Sequence, residues 1–148
     1  MRIRFAILFC IALAWVTGVL AQEWAGTVKA VNGTATVDRG GKVLPLNLGD
    51  KVFAGDKLAT GKDSHMALTL SDDTLISTGA NSQLVLNEFT FNASTQEGSM
   101  FISVLRGVSA MVSGLVAKAN PDAMRVGTPN ATMGIRGTEF IVEVDGDL

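Results

Sequence analysis

The sequence predicts an all-β protein: a single domain of many short strands, arranged as a sandwich, a roll or a short solenoid-like stack. Three observations lead there. Apolar and polar residues alternate with a period of two, as where Met66, Leu68 and Leu70 stand opposite Ala67 and Thr69, the pattern of strands that bury one face. Turn-forming groups recur at short intervals: Asn32-Gly33, Gly40-Gly41, Gly49-Asp50, Gly55-Asp56 and Gly79-Ala80-Asn81. Sixteen glycines against 3 prolines in 148 residues describe a chain that turns often without being a disordered linker.

The first segment, residues 1–21, reads as a cleaved signal peptide. Arg2 and Arg4 form a basic start, Phe5 to Val16 is almost entirely apolar, and Val19-Leu20-Ala21 places small residues where signal peptidase needs them. Cleavage is expected between Ala21 and Gln22. The rival reading is a retained anchor, but Phe5 to Leu20 is sixteen residues against the roughly twenty that span a bilayer. Export to a periplasmic or secreted location follows. Cys10 is the only cysteine and leaves with the leader, so the remaining domain has neither thiol chemistry nor a disulfide. Residues 22–148 form one domain of 127 residues, large enough to bury about two thirds of its unfolded surface. Without Arg2 and Arg4, ten basic residues face 14 acidic ones, a formal net charge of −4. The charges are interspersed with no basic stripe, which excludes a nucleic-acid partner.

Residues 22–48 read as two or three strands. Thr27, Lys29 and Val31 alternate with Val28 and Ala30; Asn32-Gly33 signals a type I′ hairpin with Thr34 to Asp38 as the return strand. Gly40-Gly41 makes a second turn before Lys42 to Leu46, where Pro45 requires an edge or a strand end. Residues 49–60 contain a six-residue near-repeat, Gly-Asp-Lys-Val-Phe-Ala followed by Gly-Asp-Lys-Leu-Ala-Thr. The expectation is two equivalent turns whose aspartates accept backbone N–H groups, in a chain that winds around sharp corners. The alternating oxygen ligands of a calcium loop are missing. From 65 to 91 the alternation is cleanest, with Ser71 to Thr74 as a solvated turn and Leu84, Leu86, Phe89 and Phe91 continuing the pattern. Ser99 to Leu105 reads as a strand broken by Gly107. Val108 to Ala119 could be a strand pair or a weak helix, and its composition leans it to strand. Asn120-Pro121-Asp122 is a turn, and Phe140 to Val144 a last strand. Met111, Met124 and Met133 read as core filler.

The most unusual stretch runs from Arg125 to Phe140. Pro129 fixes its own φ and pushes Thr128 to an extended conformation. Gly134 and Gly137 flank Ile135-Arg136, which predicts a backbone that bends twice or packs closely. Arg136, set among apolar neighbours, is expected to need an acceptor, since an unpaired buried guanidinium costs several kcal/mol, on the order of 3–5; Glu139, Asp50, Asp56, Asp72 and nearby carbonyls are the candidates. Thr128, Pro129, Ala131, Gly134, Ile135, Arg136, Gly137, Thr138, Glu139 and Phe140 together resemble the signature of the FecR-type domain, Thr-Pro-x-Ala-x-x-Gly-Ile/Val-Arg-Gly-Thr-Glu-Phe. The resemblance extends back through Ser71 to Thr74, Gly55-Asp56 and Gly49-Asp50 to Gly26. It implies a bacterial domain on the periplasmic side of a membrane regulator, which receives a signal from an outer-membrane transporter and passes it to a cytoplasmic anti-sigma segment. Here only Met1 to Arg4 precede the apolar run, so no segment able to hold a sigma factor is expected. The resemblance also implies returning strands after Asp145-Gly146-Asp147, where this sequence reaches Leu148. That predicts an open edge strand able to recruit other chains, or a truncated reading frame.

No enzymatic chemistry is supported. His65 is the single histidine, which excludes the usual zinc ligand sets, and nothing places it beside a serine, so a Ser-His-Asp hydrolase is unsupported. No phosphate loop or dinucleotide fingerprint occurs. The adjacent Asp72-Asp73 is not placed as glycosidase carboxylates are. The expectation is a non-enzymatic exported binding module without cofactor or metal, engaged with a protein or other ligand of the envelope in signalling. The alternative is an assembly subunit that pairs through its last strand. The signature residues are read as structural.

Overall fold

The structure, a computed structural model, describes residues 22–146; the expected leader through Ala21 lies outside the described residues, as do Asp147 and Leu148. Among the described residues twelve strands follow one another: β1 (Trp24–Asn32), β2 (Ala35–Arg39), β3 (Lys42–Pro45), β4 (Lys51–Phe53), β5 (Lys57–Thr60), β6 (His65–Leu70), β7 (Leu75–Thr78), β8 (Gln83–Phe91), β9 (Gly98–Val112), β10 (Met124–Gly127), β11 (Thr132–Gly134) and β12 (Glu139–Val144). A short helix, α1 (Leu115–Ala119), and a 3-10 turn at Pro121–Ala123 separate β9 from β10. The all-β expectation holds.

The strands form a roll. One face runs β4-β1-β6-β7-β9-β12 and the other β3-β2-β5-β8-β9-β10-β11. Every pair is antiparallel except β9 with β10. The fifteen-residue β9 belongs to both faces: Met100 to Ser103 pair with β10, and Ser109 to Val112 pair with β7. Gly107 does not end this strand, as its composition predicted, but bends it. Its φ of +80° is open to glycine, and a Cβ there would collide with the Ser82 side chain. Alternate residues of both faces meet in the interior: Val28, Leu58, Leu68, Leu70, Ile76, Leu84, Ile102 and Met111 are all at most 2% exposed. Each such side chain contributes roughly 1.5–3 kcal/mol by leaving water.

Passages between the faces are made at corners, and one of them overturns the hairpin expected at Asn32-Gly33. β1 pairs with β4 and β6, whereas β2 pairs with β3 and β5. Gly33 has the positive φ, +79°, that the dipeptide promised, but it carries the chain from one face to the other. The Thr34 amide donates to Ser64 Oγ at 2.9 Å and the Gly61 amide to the Thr34 carbonyl. Tertiary partners therefore outcompete the local two-strand pairing. Gly40-Gly41, with φ of +61° and +85°, does close a hairpin, between β2 and β3, and Pro45 ends β3 at the edge of its sheet.

The corners stack into a seam. Thr60 Oγ1 donates to the Gly79 carbonyl at 2.6 Å and accepts from the Ser82 amide; the Asn81 amide donates to the Gly61 carbonyl; Ser82 Oγ accepts from the Val108 amide. Thr60, Ser64 and Ser82 are buried. Small hydroxyl residues bond backbone groups that a corner leaves unpaired, which buried polar groups require.

The near-repeat does form two equivalent turns. Asp50 accepts from the Asn47 amide at 2.7 Å and Asp56 from the Phe53 amide at 2.9 Å, with Gly49 and Gly55 at φ of +89° and +91°. They differ in depth. Asp56 is buried and takes a forked pair of bonds from Arg39, 2.8 and 2.7 Å, whose guanidinium also lies over the Phe53 ring. The hydrogen bond to Asp56 raises the Arg39 pKa above its ordinary value; burial opposes this and the charges of Asp56 and Asp50 add to it.

Three further readings are corrected. Asp72 does not face water in its turn but is fully buried. Its carboxylate accepts from the Thr74 amide and hydroxyl and from the Val116 amide, and its carbonyl accepts from Leu115, so it ties the β6–β7 turn to α1. The stretch 108–119 divides, strand to Val112 and helix from Leu115, because Gly114 packs against the backbone of that turn, with no room for a Cβ. The alternation in β8 carries a bulge between Leu86 and Glu88 that returns Phe89 to the inner side.

Candidate functional site

The signature stretch begins inside the core and ends on its surface. In β10, Val126 is buried and Gly127 lies under Phe101, where a Cβ would come within 3.0 Å of the ring. Arg125 points outward, over the Phe101 ring and 3.2 Å from Glu88. Thr128 then closes a four-residue loop. Its amide donates to the Ala131 carbonyl at 2.7 Å and its hydroxyl accepts from the Ala131 amide at 3.2 Å. Pro129 and Asn130 form the exposed tip, where a proline with fixed φ and no donor is favoured.

β11 returns beside β10, with Met133 opposite Val126 and Gly134 opposite Arg125. Residues 135–138 then cross to the other face of the roll. Ser113, buried at the end of β9, holds this crossing from below: its hydroxyl donates to the Gly137 carbonyl at 2.9 Å and its amide to the Thr138 carbonyl at 2.7 Å. The floor is firm, since the next residue, Gly114, donates to Thr74 Oγ1, which is itself bound to Asp72. Ile135 and Phe140 turn partly inward against the core.

Above that floor the side chains are free. Arg136 is not buried: its side chain is 81% exposed and its ion-pair partner, at 3.4 Å, is the equally exposed Asp122. None of the acceptors expected from the sequence is used, because the segment lies on the surface and water solvates the guanidinium. Gly134 and Gly137 are not close-packed either. A Cβ at either would meet nothing within 4 Å, and neither has a positive φ. Met133, read as core filler, is 41% exposed, whereas Met111 and Met124 are fully buried. Thr138 and Glu139 are exposed.

The crossing delivers the chain into β12, which pairs along its length with β9, from Glu139 opposite Val112 to Val144 opposite Gly107. Among the described residues its other side pairs with nothing. Directly paired residues share a sheet face, so Leu75 and Val112, opposite one another, lie on the same outer surface as Ala110 and its partner Ile141. Leu75, Val112 and Ile141 are 47%, 38% and 69% exposed. The six-residue edge thus has an apolar strip on its flank and Glu139 and Glu143 along its length. The sequence pointed to the strand itself; the strip depends on which strands adjoin, which no local pattern reveals.

The other candidates carry no assembled site. His65 is exposed at the start of β6, opposite Asn32. Among the described residues no three His, Cys, Asp or Glu side chains gather as a metal site would need, and no helix is long and apolar enough to cross a membrane.

A family model described as FecR protein matches residues 56–148, a span that holds β5 to β12 and the whole signature. The strands before it are integral to the same body, β1 pairing with β6 and β2 with β5. No curated protein and no solved structure matches the chain.

Proposed function

The chain belongs to the FecR protein family, a family of envelope signalling, and from that premise we propose that it is a non-enzymatic, exported binding module that contacts a protein partner through the signature crossing and the β12 edge. The observation that carries this reading is the exposure of Arg136: a cation on a firmly held backbone, with only a surface carboxylate beside it. An ion pair of that kind is worth about 0–1 kcal/mol to the fold, so stability gives little reason for an arginine there. A planar guanidinium with several donors is well suited to a partner's carboxylate. The neighbouring edge offers unpaired backbone groups, the means by which extended segments are added to sheets.

The test is crosslinking capture from envelope extract with the wild type, Arg136→Ala and Ile141→Lys. The reading expects one stoichiometric partner with the wild type and its loss with either variant, at unchanged thermal stability. Equal capture by all three would overturn it.

A second reading, a subunit that assembles with its own kind, is favoured by the same open edge, since long unprotected edges invite pairing between copies. It expects self-association in light scattering that Ile141→Lys abolishes; a monomer at all concentrations would exclude it.

A further inference from the structure

A cavity of about 310 Å³ opens at the start of β9, beside Gly98 and away from the Gly107–Val112 stretch that pairs with β12, between the two faces of the roll. Trp24 of β1 supplies one wall, Phe89 and Phe91 of β8 the other, and Ser71 lies at the β6–β7 turn. Glu23 and Glu97 also line it, and no lysine or arginine does. Among the described residues neither glutamate is in an ion pair, and the hydrogen bonds of Glu97 run through its backbone. Its size falls at the lower end of the range for small-ligand sites, roughly 300–1,000 Å³, and its mixture of aromatic walls with a few polar groups is what such sites use.

We propose that this cavity binds an organic cation, an ammonium or guanidinium group carried on an apolar body. Ring faces are electronegative and attract cations within about 6 Å; two carboxylates outside any ion pair add to that field, and no lysine or arginine lines the cavity. An anion would be repelled. The protein already satisfies cations in this manner: Lys51 sits 4.0 Å from the centroid of the Trp24 ring and Arg125 sits over Phe101. The same chemistry is offered by a free organic cation and by a basic side chain of a polypeptide. The site is separate from the signature surface and does not depend on its role.

The sequence has two tryptophans, Trp15 and Trp24; Trp15 leaves with the expected leader, and where the leader is retained Trp15→Phe removes that indole, so that emission reports on Trp24. The probes are benzyltrimethylammonium, N-acetylarginine amide, an arginine-containing peptide and, as neutral control, maltotriose, followed by fluorescence and calorimetry together. The cations are expected to saturate a change in Trp24 emission. Affinity is expected to fall about tenfold in the double variant Glu23→Gln/Glu97→Gln and to fall with added salt, with an unaltered melting curve because both glutamates are exposed. Maltotriose is expected to give no response. A peptide that binds much tighter than the capped amino acid assigns the cation to a polypeptide, and equal affinities assign it to a free ligand. Absence of saturable binding by every cation in both measurements would overturn the proposal. So would binding of maltotriose as tight as that of the cations and indifferent to the glutamine substitutions.

Discussion

The corner seam and the signature crossing carry the chain between the same two faces, but they do so with opposite materials. In the seam, Thr60, Ser64 and Ser82 are buried, and their hydroxyls bond the backbone of neighbouring corners. In the crossing the support comes from beneath, from Ser113, while Arg136, Gly137, Thr138 and Glu139 lie exposed above it. The seam looks unremarkable in sequence, a scatter of serines, threonines and glycines, and holds the fold together. The crossing is the most distinctive stretch in the chain, and its outward side chains contribute little to packing. Distinctiveness that packing does not need is what a recognition surface would show.

The largest effect is expected at the seam. Gly107→Val would place a branched side chain at φ of +80° and against Ser82, costing roughly 3 kcal/mol or more, read as a large fall in the urea midpoint. Asp72→Ala comes next: Thr74 and Val116 would lose their buried acceptor, at about 2–4 kcal/mol in the same measurement. Because Asp72 fastens the floor of the crossing, this variant should also impair partner capture, which links the two regions. Arg39→Met strands the buried Asp56 carboxylate with only the Phe53 amide. About 2 kcal/mol is expected, with no effect on capture, since the pair lies in the β2–β5 region. The smallest change in stability is expected at Arg136→Ala, within about 0.5 kcal/mol, together with loss of capture. If Gly107→Val were tolerated and Arg136→Ala unfolded the protein, the contrast between the regions would be reversed.

Local patterns were legible in the sequence wherever local physics decides the outcome. The period of two in Met66, Leu68 and Leu70 placed β6 and its inner face, and the paired Gly-Asp turns needed only neighbouring residues. The last strand, β12, was likewise legible in the run Phe140 to Val144. What escaped depended on contacts distant in sequence. Asn32-Gly33 has the chemistry of a hairpin, but Ser64, thirty residues from Thr34, turns it into a corner. Asp72 looked like a solvated turn residue until α1 covered it. Arg136 looked buried because its sequence neighbours are apolar, yet Ile135 and Phe140 turn inward while the residues between them stay outside. Alternation reports burial only within a strand, and residues 135–138 are not in one.

The most direct test of the claim that the crossing is a recognition surface set on a structural floor is to measure thermal midpoint and partner capture together on Arg136→Ala. The account predicts an unchanged midpoint, as expected for an exposed side chain with a single exposed partner, and loss of the captured protein. A midpoint lowered as far as that of Asp72→Ala, with capture retained, would show that Arg136 serves the fold and would contradict the account.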